Sequence, residues 1–123
     1  MKKINIENKE ISVRLSENEN DYISLTDIAR FKDPKSTGII IANWLSTKYT
    51  VHFIGAWEQL HNPNFNVIEF NNIKNNAGTN GYILSSSKWI KLTNAIGIRS
   101  GVGRYNGGTF AHKDIANTAK KLK

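Results

Sequence analysis

The chain contains no cysteine, and this absence excludes a disulfide scaffold, a thiol nucleophile and a cysteine-ligated zinc site. It also lacks an apolar run near the roughly 20 residues that a membrane-spanning helix needs. The segment after Met1 is polar, so we predict no secretory signal. At 123 residues the chain has the length of one domain, and we expect a soluble, intracellular protein without a membrane partner.

Acidic residues are scarce after Asp33. Residues 1–33 hold six Lys and Arg against seven acids, whereas residues 34–123 hold eleven against three. A basic surplus of this kind favours a polyanionic partner, and nucleic acid is the commonest one.

The three acids of the longer part leave little material for an active site. We expect Glu58 on the solvent side of its helix, Glu69 in a helix cap and Asp114 in a first helical turn. None of them is then available for general acid–base work. The sequence therefore predicts no catalytic residue.

The three histidines show no metal-ligand pattern. We expect His52 on a helix, His61 in a turn and His112 at the start of the last helix, where it can act as a cap. No pair of them has the i, i+4 spacing of a metal site, and no acid cluster accompanies them. We therefore predict no metal and no cofactor. A nuclease remains an alternative without a supporting motif.

Hydrophobic periodicity and turn residues predict an α+β fold that opens with a β-hairpin or small sheet. Residues 3–15 alternate with period 2 around Asn8, which predicts the hairpin, and residues 22–25 predict a third strand. Helices are predicted at 27–31 after a Thr26 cap and before Pro34, at 37–45, at 50–60, from an Asn66 cap to Gly78, from the serines at 85–87 to a stop at Gly97, and at 112–123. We expect a single domain over residues 1–123.

A glycine-rich hairpin is predicted at 98–110. It carries Arg99 and Arg104, Lys113 follows it, and no acid lies between 99 and 113. Glycine lets a backbone approach phosphate closely, and the arginine fork binds phosphate or a guanine edge. This pattern is typical of a wing on a DNA backbone, although an ordinary surface hairpin explains the glycines equally well. Tyr105 at the tip either contacts DNA or packs under the hairpin.

The sequence disfavours two other modes of binding, a nucleotide-binding loop and base stacking by tryptophan. A nucleotide-binding loop is disfavoured, because the third glycine and the following long helix are missing after Gly103. Trp44, Trp57 and Trp89 fall at helical spacing among aliphatic residues, which favours core positions over base stacking. An exposed patch made by these tryptophans would instead favour a protein partner.

Several motifs follow one another in a fixed order, at residues 22–29, 54–65, 68–70, 77–78, 89–97 and 103–116. In this order they resemble the motifs of a KilA-N domain over about residues 22–116. KilA-N domains occur in bacteriophage, prophage and large DNA-virus proteins and are similar to the fungal APSES DNA-binding domain. Two features depart from the family pattern: Asn106 separates Arg-Tyr from Gly-Gly, and the longer last helix of other members is missing. We expect either a short stand-alone form or a part of a longer protein with further domains.

This resemblance implies binding of double-stranded DNA and a role in transcription regulation in a bacterial or phage-infected cell. The helix-turn-helix-like pair would lie at about 26–46, with a recognition helix near 36–46, and the wing at 98–110. An antirepressor-type module that binds a regulator protein is the alternative. The predicted DNA-binding residues are Lys35, Ser36, Asn43, Lys48, Arg99, Arg104, Tyr105, Asn106 and Lys113.

Overall fold

Five strands and six α-helices make up the part of the chain that the computed structural model describes, which is residues 2–6, 9–14, 21–100 and 108–121. The strands are β1 Lys2–Ile6, β2 Lys9–Arg14, β3 Tyr22–Ser24, β4 Ile98–Ser100 and β5 Thr109–His112. The helices are α1 Leu25–Arg30, α2 Thr37–Leu45, α3 Lys48–His61, α4 Val67–Asn76, α5 Ser86–Thr93 and α6 Lys113–Ala116, followed by a 3₁₀ helix Thr118–Lys121. The predicted α+β class is confirmed.

The strands form one antiparallel sheet with the order β1-β2-β3-β5-β4. Both predicted hairpins are confirmed as strand pairs, since β1 pairs with β2 and β4 pairs with β5. The central pair joins them, because Ile23 of β3 lies opposite Ala111 of β5. The sheet therefore connects the N-terminal hairpin to the candidate wing.

Helix α1 begins two residues before the predicted start. Its cap is Ser24, whose hydroxyl accepts the Asp27 N–H at 3.0 Å, so the prediction of a Thr26 cap is wrong. The Thr26 hydroxyl instead accepts the backbone N–H of Thr109 at 2.9 Å. The helix ends at Arg30, before Pro34. A tertiary contact thus uses the side chain that the local pattern assigned to a cap.

Helices α2, α3 and α4 follow the predicted apolar stripes. Helix α3 starts at Lys48 rather than Thr50, because the Thr47 hydroxyl caps it by accepting the Thr50 N–H at 3.3 Å. The Asn66 cap is confirmed by its bond from the Glu69 N–H at 3.0 Å. Just after α4, Gly78 has a φ of +80°, the left-handed conformation that glycine adopts at helix ends.

The last two predicted helices are shorter in the structure. Helix α5 ends at Thr93, and Asn94 rather than Gly97 supplies the left-handed residue with a φ of 60°. The predicted helix at 112–123 is interrupted after Ala116 and continues as the 3₁₀ turn. The His112 cap is confirmed, since its Nδ1 accepts the Asp114 N–H at 3.1 Å.

The three tryptophans lie in the core between the helices and the sheet. Trp44 and Trp57 are 8% exposed and Trp89 is fully buried, which confirms the core interpretation. Leu25, Leu45 and Ile54 are fully buried in the same cluster. Within the described ranges, no helix combines the length and the hydropathy needed to cross a bilayer.

Candidate nucleic-acid interface

Helices α1 and α2 pack against each other and are joined by a tight turn at residues 31–36. The Asp33 carboxylate accepts the Lys35 N–H at 3.0 Å, and the Asp33 carbonyl accepts the Ser36 N–H at 3.1 Å. Asp33 therefore folds the turn that sets the start of α2. Lys35 is exposed there, and the half-buried Ser36 occupies the cap position without a side-chain cap bond.

Helix α2 has a clear inward face and a clear outward face. Ile41, Trp44 and Leu45 are buried, whereas Ile39 is 65% exposed and Asn43 is also exposed one turn later. The helix contains no acidic residue. Its outward side therefore offers one amide and one aliphatic side chain, with no negative charge to repel DNA.

Lysines stand at both ends of this helix. Lys35 precedes it, and the exposed Lys48 begins α3 just after it. A helix of nine residues is about 13.5 Å long at 1.5 Å per residue, close to the major-groove width of about 12 Å. If α2 crosses the groove, the two lysines approach the phosphate backbones on either side.

The stem of the candidate wing carries Arg99. The Arg99 guanidinium lies 4.7 Å from the centre of the Tyr22 ring, and its Nε donates to the Ile96 carbonyl at 3.4 Å. Lys113 follows β5, is half-buried, and its backbone N–H donates to the Asp21 carbonyl at 2.9 Å. The Arg99 side chain therefore lies against Tyr22 of β3, and the backbone of Lys113 is bonded to the residue that precedes β3.

Three predicted contact residues, Arg104, Tyr105 and Asn106, lie outside the described residues. The stem below them is fixed at Thr109, whose N–H donates to Thr26 of α1 and whose hydroxyl lies 3.4 Å from the Ser86 hydroxyl of α5. The fold therefore brings the hairpin stem against the first helix of the helix-turn-helix-like pair.

Glu58 supports the base of the hairpin from inside the core, a position that the sequence did not predict. It is fully buried, so the prediction that it lies on the solvent side of α3 is wrong. Its carboxylate accepts the Gly97 N–H at 2.7 Å, the Ile96 N–H at 3.1 Å and the Asn62 side-chain amide at 2.9 Å. These bonds fix the segment that enters β4. The residue therefore positions the hairpin stem.

Basic side chains outside the predicted set also reach the surface. Lys88 and Lys91 are exposed on α5, and Lys74 of α4 shares a hollow with Lys48 and His52. The sequence analysis did not select them, because no local motif distinguishes them from ordinary solvated lysines. In the described ranges, no group of three or more His, Cys, Asp or Glu could hold a metal ion.

His112, the last residue of β5, lies in a cluster of aromatic rings. Its imidazole is 4.9 Å from the Trp57 ring and 5.8 Å from the Tyr22 ring, measured between ring centres. Burial lowers the pKa of the His112 imidazole below its ordinary value, although the Asp114 carboxylate acts in the opposite direction. The bond that Nδ1 accepts from the Asp114 N–H requires that nitrogen to carry no proton. The fold therefore favours neutral His112.

Acidification should destabilise the domain through His112. Because the folded-state pKa is below the unfolded one, the unfolded chain binds more protons, and stability falls as pH drops below about 6.5. Thermal melts between pH 8 and 5.5 measure this slope. We expect a shallower slope for His112→Asn, whose amide oxygen can still cap α6. Equal slopes for His112→Asn and the wild type would contradict this account.

The fold and site define a class: an α+β domain in which a helix-turn-helix-like pair lies beside a hairpin stem, with lysines at both ends of the second helix. The family model for the KilA-N domain matches residues 4–119. The chain belongs to the KilA-N domain family, which is generally a family of DNA-binding domains rather than of enzymes. We found no curated protein and no solved structure that matches the chain.

Proposed function

We propose that this chain binds duplex DNA with α2 in the major groove and with the β4–β5 hairpin as a wing on the phosphate backbone. The observation that carries this proposal is the outward face of α2, which has no acid and is flanked by Lys35 and Lys48. Asn43 lies on that face in the last turn of α2, and an amide of this kind pairs bidentately with adenine. Family membership supports the same partner.

The wing contacts are the second part of the proposal. Arg99 lies in β4 and Lys113 directly follows β5, while Arg104, Tyr105 and Asn106 stand between the two strands in the sequence. Arginine binds phosphate bidentately, and Tyr105 and Asn106 would reach sugar or a groove edge. Together with the α2 contacts, these groups would neutralise about four to six phosphates.

A regulator protein as the partner receives no comparable support. An exposed patch of tryptophan would have favoured that alternative, and all three tryptophans are buried. We therefore propose a DNA-binding role, within the transcription regulation of a phage or prophage as the family resemblance implies.

Neutralising four to six phosphates should make the logarithm of the affinity fall with the logarithm of salt concentration, at a slope of about −3.6 to −5.4. Fluorescence anisotropy with a labelled duplex between 50 and 300 mM salt measures this slope. Arg104→Ala should weaken binding to all sequences alike and reduce the slope by about 0.9, the share of one phosphate. Lys91→Gln on the outer side of α5 is the control and should leave the slope unchanged. An affinity that is flat in salt would overturn the mechanism.

A further inference from the structure

A basic hollow lies beyond the C-terminal end of α2. Its volume is about 510 Å³, and it opens between the start of α3, the end of α4 and the loop after α4. Lys48, His52 and Lys74 bring three basic groups to its walls. None of the lining residues is acidic: they are Lys48, His52, Lys74, Asn75, Ala77, Gly78 and Thr79.

The walls of this hollow are fixed by the fold. Lys48 and His52 are one helical turn apart and therefore share a face of α3. The Lys74 ammonium lies 5.6 Å from the centre of the buried Phe70 ring, which orients its stem. The hollow therefore combines a cationic side of α3 with a lysine held by α4.

The loop at Gly78 closes the third side. The Gly78 N–H donates to the Ser46 carbonyl at 3.0 Å, which fastens the loop to the turn between α2 and α3. A Cβ at Gly78 would lie 3.4 Å from the Lys48 Cβ, and the residue has a φ of +80°. The hollow is thus already shaped before any ligand enters it.

The charge of the hollow indicates an anionic occupant. Two ammonium groups and an imidazole surround one space, and within residues 21–100 and 108–119 no acid forms an ion pair with them. The two ammonium groups repel each other, and an anion between them removes this cost. A phosphate group also accepts hydrogen bonds from Lys, His, Asn and Thr side chains. Phosphate therefore matches both the charge and the donors of the site.

We propose that this hollow holds a phosphodiester of the DNA backbone beside the groove that α2 enters. The inference rests on the proposed function and adds His52 and Lys74 to its contacts. Position supports it, because Ser46 ends α2 and its carbonyl is bonded to the loop of the hollow. Lys48 lies just after α2 and also lines the hollow. A DNA strand that passes the C-terminal end of α2 would therefore reach the hollow.

Neutralising single phosphates tests this contact. In a bound duplex, each phosphate is replaced in turn by an uncharged methylphosphonate, and the affinity is measured by anisotropy. At 0.1 M salt, one lost phosphate contact lowers the affinity about eightfold, from a salt-slope share of about 0.9. We expect Lys74→Gln to be insensitive to methylphosphonate at one or two adjacent positions where the wild type is sensitive. The matched control Lys91→Gln should keep the full wild-type pattern.

The outcomes separate this inference from the proposed function. Absence of DNA binding would overturn both, whereas DNA binding with the same methylphosphonate pattern in Lys74→Gln and the wild type would overturn the hollow alone. Inorganic phosphate is the second probe. Its binding is detected by changes in the amide NMR shifts of Lys48, His52 and Gly78. Shifts with millimolar phosphate, without any change of pattern in Lys74→Gln, would assign the hollow to free phosphate and overturn a DNA phosphodiester as its occupant.

Discussion

Replacing Glu58 with alanine should lower the free energy of unfolding by about 3–5 kcal/mol, one of the two largest effects expected from a single substitution in this chain. The carboxylate is fully buried and accepts bonds from Ile96, Gly97 and Asn62. The substitution leaves these donors without an acceptor, and each buried unsatisfied group costs about 1–3 kcal/mol. It also removes buried side-chain volume next to Trp57 and Ile115, which surround Gly97 on the same side.

The measurement is a denaturation midpoint together with amide exchange. For a chain of this length, 1 kcal/mol corresponds to about 4 °C, so the melting temperature of Glu58→Ala should fall by about 12–20 °C. The amides of Ile96 and Gly97 should lose protection from exchange before the helices do. Glu58→Gln keeps the volume and one acceptor oxygen, and we expect an intermediate loss.

Glu69→Ala is the matched control for Glu58→Ala. Glu69 is half-buried in the first turn of α4, where a carboxylate is worth about 0.3–1 kcal/mol to the helix. The control should therefore melt within a few degrees of the wild type. If Glu58→Ala behaved like Glu69→Ala, the buried carboxylate would not be what holds the segment that enters β4.

The misplacement of Glu58 shows where local sequence reasoning stops. Its bonds reach residues 38 and 39 positions away, and no window of the sequence contains both partners. One signal was present, since Val51, Ile54 and Glu58 follow an i, i+3, i+7 spacing that puts all three on one helix face. A carboxylate at such a position is normally interpreted as solvent-exposed, because burial without partners is costly. Asn62 supplies one partner within the same segment, but the other two partners are the backbone N–H groups of Ile96 and Gly97, which composition does not reveal.

Some helix ends are set by neighbouring residues and were predictable, whereas others are set by distant contacts. The caps at Asn66 and Ser85 were predictable, because each side chain bonds an N–H three residues later. The end of α5 was not, because Asn94 takes the left-handed position while its side chain donates to the Asn64 carbonyl at 3.1 Å. Its own carbonyl accepts the Asn62 amide at 2.9 Å. These contacts with the α3–α4 turn end the helix before Gly97.

In the candidate site, too, local sequence predicts the elements but not the contacts between them. The helix pair and the hairpin came from periodicity, turn residues and motifs that lie close together in the chain. Their contact depends on the bond between Thr26 and Thr109, which are 83 positions apart. The hollow likewise requires α3 and α4 to pack so that Lys74 comes next to Lys48. Charge could therefore suggest an anionic partner, whereas only the fold could group these cations.

Glycine-to-alanine substitutions in α2 and α3 should have opposite signs. In a helix interior alanine is favoured over glycine by about 1 kcal/mol. Gly38, the second residue of α2, has nothing within 4 Å of the place a Cβ would take, so Gly38→Ala should stabilise the domain by up to about 0.5 kcal/mol, the lower end of the interior value. At Gly55 of α3 the new Cβ would lie 2.1 Å from Cε1 of Phe70, well inside van der Waals contact.

The Phe70 ring has little space into which it could move. It is 4% exposed and packs against Phe65 and Trp89, with ring centres 5.6 and 6.1 Å away. Overpacking a closed core costs about 1–3 kcal/mol and sometimes more, which exceeds the gain in helix propensity. We therefore expect Gly55→Ala to lose about 2 kcal/mol, or about 8 °C, in a thermal melt. Stabilisation by Gly55→Ala equal to that by Gly38→Ala would show that α3 and α4 do not approach as closely as Gly55 and Phe70 indicate.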